Sequence, residues 1–389
     1  MKLSKILIIV PSFHSGGTIS SLINFISLVD QERFHISVFG ITNTGPNKQY
    51  VAEHCTIVGE DNRQQGNTKT SFKSEVRTRL FLLVKAIKKG LEKLNIDISP
   101  LLFKRYARSL DTGEYDYVLA FQEGQATLFG SYFKNGIKIA WVRSEYTRFI
   151  ENTGDKYKAC YEKYDKIVSV SKAALASFLS VHPEFSDRAF VQYNFLNDER
   201  IRALSLEKVD DLWDNRYFTI VSLGRIDPVK RISEIPRLCR ELRDLGLEFK
   251  WVIIGGVAVK DEYTLFMDGV DKYHVQDSII VLGNKPNPYP YLKHSSLLVS
   301  LSKSETFNNT LTEAKILGIP VVTTDYPCAY ESIADKEEGL IAAFEDIIQA
   351  ISDMINDNDG TYTSIKNNLV SFQYDKDVLL QNLYANILN

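Results

Sequence analysis

The sequence predicts an α/β protein of two doubly wound, Rossmann-like domains, and three observations predict it. Its 389 residues are too many for one ordinary hydrophobic core and about right for two. Short apolar runs, bounded by glycine, proline or polar turns, alternate with helical-length stretches, as parallel strands alternate with crossover helices. That series runs once, is interrupted by a polar segment near Asn197–Asn215, and then begins again.

In the first half the candidate strands are Ile6–Val10, Ile36–Phe39, Tyr117–Phe121, Ile139–Val142 and Ile167–Val170. In the second half they are Thr219–Leu223, Lys250–Ile254, Ile279–Leu282, Leu297–Leu301 and Pro320–Thr323. The expected boundaries are 1–196 for the first domain, 197–373 for the second, and 374–389 for a C-terminal helix. Within that last stretch Val378, Leu379, Leu383, Ile387 and Leu388 recur at roughly helical spacing, so the helix should pack on a domain surface, that of the N-terminal domain being the candidate. Ligands of such sheets bind beyond the carboxyl ends of the strands, so an interdomain cleft is the expected site.

Composition narrows the function classes. With 44% hydrophobic and 24% charged residues and a formal net charge of −3, the chain is neither disordered nor globally basic, and nucleic acid is not an expected partner. Cys55, Cys160, Cys239 and Cys328 show no CxxC spacing, which argues against a zinc site or a disulfide framework and fits a cytoplasmic location. The apolar run Ile6–Val10 is shorter than a signal-peptide core and reads as a buried first strand. No run of about 18 apolar residues is available to span a membrane.

Two segments carry chemistry. Ser222-Leu223-Gly224-Arg225-Ile226-Asp227-Pro228-Val229-Lys230-Arg231 follows a strand and precedes a helical stretch. A glycine there permits a sharp turn, and two cations five residues apart can converge on one anion, although an isolated R-x-x-x-x-K is also the pattern of a solvated basic turn. The second segment, Ser304-Glu305-Thr306-Phe307-Asn308-Asn309-Thr310-Leu311-Thr312-Glu313-Ala314, also follows a strand. Asn308-Asn309-Thr310 sits where a helix should start, and free N–H groups at the positive end of a helix dipole suit a diphosphate. Glu305 and Glu313 suit a neutral polyol, because carboxylates accept hydrogen bonds from hydroxyls; alone, they could equally be partners of the helix dipole.

Together the two segments resemble the donor site of family 4 of the retaining glycosyltransferases, the GT-B class. The elements that carry the resemblance are Gly224-Arg225, Lys230, Glu305 and Glu313 with seven residues between them, Ala314, and the strand Gly318-x-Pro320-Val321-Val322. Asn284–Leu292 is similar to the family's loop around the nucleotide base, and Ser15-Gly16-Gly17 to its glycine loop after the first strand. Ser169-Val170-Ser171-Lys172 and Tyr193-Asn194 resemble the segments leading into the domain linker. No G-x-G-x-x-G follows the first strand, which disfavours a nicotinamide enzyme.

The resemblance implies a GT-B fold and transfer of a hexose or N-acetylhexosamine, with retention, from a nucleotide sugar, UDP by family frequency, to a glycan or lipid-linked acceptor in bacterial surface polysaccharide synthesis. Arg225 and Lys230 would bind the donor diphosphate and Glu313 the ribose. Glu305 and the backbone near Phe307–Asn309 would address the transferred sugar, with Gly16, Gly17, Gly224, Asn284, Asn308, Asn309 and Thr310 lining the donor. No metal or other cofactor is expected. Two rivals stay open, a nucleotide-sugar epimerase of the same fold and a non-catalytic sugar-nucleotide-binding subunit.

One departure concerns the acceptor side. Where relatives read W-x-H-S-D, this chain reads Trp141-Val142-Arg143-Ser144-Glu145. Arg143 replaces a histidine, and a permanent cation can hold an anion but cannot act as a base. Arg143 and Glu145 are therefore expected on the acceptor side. Asp357-Asn358-Asp359 has a D-x-D look but lies before Gly360 in a polar turn and is expected to be only a loop. Finally, residues 69–108 contain eleven Lys or Arg against three acids. With Leu80, Leu83, Val84, Ile87, Leu91 and Leu94 at helical spacing, the stretch reads either as a solvated amphipathic helix or as a patch for the anionic inner face of a membrane.

Overall fold

The computed structural model describes residues 3–14, 16–59, 99–209 and 216–389. It divides into two compact units, Met1–Phe195 with Asp377–Asn389, and Leu196–Lys376.

In the first unit the described strands are β1 (Ser4–Ser12), β2 (Phe34–Thr42), β3 (Thr56–Ile57), β4 (Tyr117–Ala120), β5 (Ile137–Val142), β6 (Lys166–Ser169) and β7 (Ala189–Val191). They form one parallel sheet in the order β3-β2-β1-β4-β5-β6-β7. Ile6–Val10 are wholly buried because helices cover both faces of a parallel sheet, which is why the strand reads as an unbroken apolar run. Chain direction across the sheet reverses between β1 and β4, and loops beyond their carboxyl ends diverge there and leave room for a ligand.

The C-terminal segment belongs to this unit. Helix Lys376–Asn382 passes into a π turn, Leu383–Ile387. Tyr384 stacks on Phe34 with ring centroids 5.7 Å apart, and its hydroxyl accepts from the Asp30 amide at 2.9 Å. Leu383, Ile387 and Leu388 are buried as their spacing predicts, but Val378 is 56% exposed. The wider π turn rotates the apolar stripe between the two halves of the segment.

The described helix Ser99–Leu110 turns Phe103 and Tyr106 inward, against Phe129 and Phe39 respectively. Leu101, Lys104, Arg105 and Arg108, at i, i+3, i+4 and i+7, share the exposed face. The remainder of the basic stretch, 69–98, lies outside the described residues.

The second unit repeats the plan with β8 (Phe218–Leu223), β9 (Phe249–Ile254), β10 (Ile279–Gly283), β11 (Leu297–Ser300), β12 (Val321–Thr324) and β13 (Gly339–Ala342). Its described strands run parallel in the order β10-β9-β8-β11-β12-β13, and the reversal falls between β8 and β11. The core gathers Trp251, Phe266, Leu238, Ile253, Val299 and Ile351 around the sheet. One polar chain crosses it fully satisfied: the Trp251 indole donates to Ser222 Oγ at 3.0 Å, and Ser222 donates to the Val299 carbonyl at 2.7 Å.

Candidate functional site

At the carboxyl end of β8 the chain leaves the sheet through Gly224 and enters the loop that carries Arg225 and Lys230. Asp227 shapes this loop. Its Oδ1 accepts from the amides of Val229 and Lys230, each at 3.0 Å, and its Oδ2 lies 3.4 Å from the Arg225 guanidinium. Arg225 remains 69% exposed, so its charge faces solvent. The Lys230 stem folds back over Gly224, where a Cβ would meet Lys230 Cδ and Cε at 3.3 Å.

The neighbouring loop, after β11, supplies the partner of Lys230. Lys230 Nζ lies 2.5 Å from Glu305 Oε1, and the buried Ser302 Oγ donates to the same oxygen at 2.8 Å. The loops are tied together because the Lys303 amide donates to the Val229 carbonyl at 2.8 Å. Helix Asn309–Ile316 starts immediately beyond. Asn308 precedes it, but its side chain turns away from solvent: Nδ2 donates to Ser300 Oγ at 3.2 Å and to the Tyr326 hydroxyl at 3.1 Å. Asn308 can therefore meet a ligand only through its backbone. Phe307, Asn309 and Thr310 are half-buried beside it.

Glu313 lies farther along the same helix and accepts from the Tyr289 hydroxyl at 3.3 Å. Burial pushes its carboxyl up to about 7, only partly offset by that hydrogen bond. Tyr289 is itself raised by burial and by the adjacent Glu313. Asn284 follows β10, and a Cβ on Gly256 would lie 3.9 Å from its Cβ, which places it beside the glycine pair that ends β9.

The sign of a pH effect follows from Glu313. Because the folded value is raised from 4.5 to about 7, the protonated form favours the fold. That contribution is complete below pH 4.5 and disappears as the pH rises through 7. Glu313→Gln keeps an acceptor for Tyr289 but cannot ionise. Wild type should therefore lose stability relative to the variant between pH 5 and 8, on the order of 2 kcal/mol, in urea melts of the two proteins at both pH values. A constant difference would contradict the raised carboxyl.

In the first unit, Gly16 (φ +151°) and Gly17 open helix Gly17–Leu28 after β1, and a Cβ on either would meet nothing within 4 Å. Thr18 Oγ1 donates to Gln122 Oε1 at 3.0 Å, linking that helix start to the end of β4. Arg143 leaves the end of β5 with its guanidinium 4.0 Å above the Phe121 ring; Nε donates to the Phe121 carbonyl and Nη1 to Asn194 Oδ1, each at 2.8 Å. Burial lowers its pKa to about 9, with Glu123 opposing. The buried Glu123 accepts from the Arg143 amide at 2.7 Å and from Ser144 Oγ at 2.5 Å.

Glu145 is engaged locally. It caps helix Tyr146–Thr153 by accepting from the Arg148 amide at 3.1 Å, and it accepts from Ser177 Oγ at 2.7 Å and from the Thr147 hydroxyl. Burial acts to raise its carboxyl, but the bonds from Thr147 and Ser177 outweigh it and hold the value low. Its proximity to Arg143 in sequence thus reflects helix capping.

The structure brings Gly224, Arg225, Lys230 and Glu305 together where β8 and β11 end, and sets Glu313 on the helix that follows. Arg143, Glu145, Gly16 and Gly17 lie in the other unit. Ser302, Gly255 and Glu123 lie outside the segments that the sequence marks as functional, each just beyond a strand end, which is the signal that could have found them, whereas Asp227 and Tyr289 lie inside marked segments with no role of their own. Asp357 and Asp359 bond Thr363 and Thr361 in a turn, as a loop should. Among the described residues no group of three or more His, Cys, Asp or Glu is placed to hold a metal ion.

Residues 206–369 match the family model of the Glycosyl transferases group 1. Among curated proteins, an uncharacterized glycosyltransferase of Methanocaldococcus jannaschii is 25% identical over 173 residues, 43% of this chain and 42% of the relative. The N-acetylgalactosamine-N,N'-diacetylbacillosaminyl-diphospho-undecaprenol 4-alpha-N-acetylgalactosaminyltransferase of Campylobacter jejuni is 27% identical over 202 residues, 51% of this chain and 53% of the relative. The chain thus spans about half or less of the length of these two relatives. Among solved structures, Anabaena HepE in complex with UDP and glucose superposes with a TM-score of 0.71 at 15% identity, covering 98% of both chains. A mutant of Staphylococcus aureus TarM bound to fondaparinux, alpha-GlcNAc-glycerol and UDP gives 0.68 at 15% identity over 98% of this chain and 99% of that one. The chain therefore has the GT-B fold, and its second unit carries the stretch that matches the group 1 glycosyl transferases.

Proposed function

We propose that this chain is a retaining glycosyltransferase that takes a hexose or N-acetylhexosamine from a UDP-sugar and delivers it to a glycan or lipid-linked acceptor of a bacterial surface polysaccharide. The observation that carries the reading is the Lys230–Glu305 pair beside Arg225 where β8 and β11 diverge, within the segment that matches group 1 glycosyl transferases. The UDP and glucose bound to HepE and the lipid diphosphate in the name of the Campylobacter relative support the choice of donor and acceptor class.

Chemically, the leaving nucleoside diphosphate gains negative charge as the glycosidic bond breaks. Arg225 and Lys230, fixed by the Asp227 turn, stabilise that charge in place of a metal ion. Glu305 accepts from a hydroxyl of the sugar, Glu313 holds the ribose with Asn284 near the base, and the backbone of Phe307–Thr310 meets the sugar and phosphates. The leaving phosphate takes the acceptor proton on the same face, so no acidic nucleophile is needed. In the first unit, taken by itself, Arg143 holds an anionic group of the acceptor.

Binding and hydrolysis of a panel of nucleotide sugars tests the reading. Release of UDP from one UDP-sugar, stimulated by acceptor, is expected. Donor turnover without UDP release would indicate epimerisation, binding without any turnover a non-catalytic subunit, and failure to bind any nucleotide sugar would overturn the proposal.

The exposed face of helix Ser99–Leu110 makes the inner face of an anionic membrane the proposed working surface. Among the described residues no helix is long and apolar enough to cross a membrane. Each cation at such a surface contributes about 1 kcal/mol, so Lys104→Ala/Arg105→Ala/Arg108→Ala should weaken co-sedimentation with phosphatidylglycerol vesicles by tenfold or more. Equal sedimentation of variant and wild type would exclude this helix as the contact.

A further inference from the structure

Glu305 Oε1 is held from two sides, by the Ser302 hydroxyl at 2.8 Å and by the Lys230 ammonium at 2.5 Å. Ser302 is itself fixed. It is 1% exposed, it lies two residues beyond the end of β11, and its carbonyl accepts from Thr324 Oγ1 at 2.6 Å. The Glu305 carbonyl accepts from Cys328 Sγ at 3.1 Å, which anchors the same residue at its backbone. Glu305 is thus held at one carboxylate oxygen and at its backbone by the buried Ser302 and Cys328, while Lys230 and Glu305 keep 21% and 17% of their side-chain surface. A carboxylate so oriented on one oxygen presents the other in a fixed direction, and an ammonium with three protons can hold one carboxylate oxygen and still donate elsewhere.

We propose that Ser302 is a positioning residue for the transfer, locking Glu305 so that its second oxygen accepts a hydroxyl of the donor sugar while the shared Lys230 donates to the diphosphate. This rests on the donor site proposed above. It makes the recognition of sugar and of diphosphate one coupled event, since the same Lys230–Glu305 contact orients both halves. The nucleotide alone, lacking the sugar hydroxyl, draws no benefit from the lock. Ser302 touches neither ligand, so its effect passes through Glu305.

The test compares binding of UDP with binding of the UDP-sugar that the protein turns over, by calorimetry on the full chain, alongside kcat. In Ser302→Ala, UDP affinity should stay within about twofold, whereas UDP-sugar affinity and kcat should each fall about tenfold, the size of one lost hydrogen bond to a charged group. In a Glu305→Ala background the same serine substitution should change UDP-sugar affinity by less than about twofold, because its route of action is gone. Should Ser302→Ala not fold, Glu305→Gln carries the comparison: its amide oxygen can still accept from Lys230 and Ser302, but the NH2 group in place of the second oxygen cannot accept from a sugar hydroxyl, so UDP-sugar should lose its advantage over UDP while UDP binds at least as well as before. Unchanged UDP-sugar affinity and kcat in folded Ser302→Ala overturns the positioning role, as does equal loss of both ligands in Glu305→Gln. Failure of wild type to bind UDP at all would instead overturn the donor site itself.

Discussion

Lys230→Ala is expected to lower turnover by about 100- to 1000-fold, the cost of removing one preorganised charge from a group that becomes more negative in the transition state. UDP affinity should fall less, by about tenfold, because Arg225 is still present to hold the diphosphate. The substitution also leaves Glu305 Oε1 with Ser302 as its remaining partner among the contacts of this loop, so part of the loss arises through a carboxylate that is no longer balanced. Lys230 is half-buried and its stem lies over Gly224, which gives the change a modest structural cost. Steady-state kinetics and UDP titration at one pH, with a thermal melt of each protein, separate these contributions. A loss below about fivefold in kcat, in a variant that melts with the wild type, would remove Lys230 from the charge-stabilising role.

Much of this arrangement is legible in the sequence, and the gaps have a physical pattern. All ten apolar runs read as strands are strands; nine are inner strands, covered on both faces and therefore apolar throughout, and the tenth, β10, is an edge strand that keeps an apolar run although it is only partly buried. Among the described residues the three strands not foreseen, Thr56–Ile57, Ala189–Val191 and Gly339–Ala342, all lie at sheet edges. They are short and partly exposed, and their pairing depends on a neighbour that only the fold supplies. The same division holds at the site. Arg225 and Lys230 stand out as charges in a loop opened by Gly224 after a strand, and Glu305 and Glu313 by the seven residues between them at the start of a helix. The groups that orient them do not. Ser302 and Asp227 are ordinary polar residues whose role depends on which oxygen faces which amide. Asn308 looks like a ligand residue in sequence, yet its amide is spent on Ser300 and Tyr326. Glu145 looks like a neighbour of Arg143, whereas the carboxylate that holds the Arg143 and Ser144 positions is Glu123, twenty residues earlier on the adjacent strand end.

Gly255→Ala is expected to disable the site without touching any charged group. Beyond β9 the backbone continues to pair: Gly224 donates to the Ile254 carbonyl at 3.0 Å, Gly255 to that of Gly283 at 2.9 Å, and Ile226 to that of Gly256 at 2.9 Å. These bonds draw the ends of β8 and β9 so close that a Cβ on Gly255 would stand 1.8 Å from the Gly224 carbonyl oxygen and 3.3 Å from the Arg225 amide nitrogen. The obstacle is backbone, which cannot rotate aside, so relief must come from moving the peptide from which Arg225 and Lys230 depart. Overpacking of this kind, added to a φ of +157°, costs about 3 kcal/mol, and in a unit of this size that lowers the melting temperature by roughly 10 °C. UDP affinity should fall about tenfold or more, as the peptide from which both cations depart shifts. Gly256→Ala is the matched control. Its Cβ would meet only the Asn284 Cβ, at 3.9 Å, an ordinary contact, and both readouts should stay near wild type. If the two variants melt and bind UDP alike, the close approach of the strand ends does not set the geometry of the Arg225–Lys230 loop.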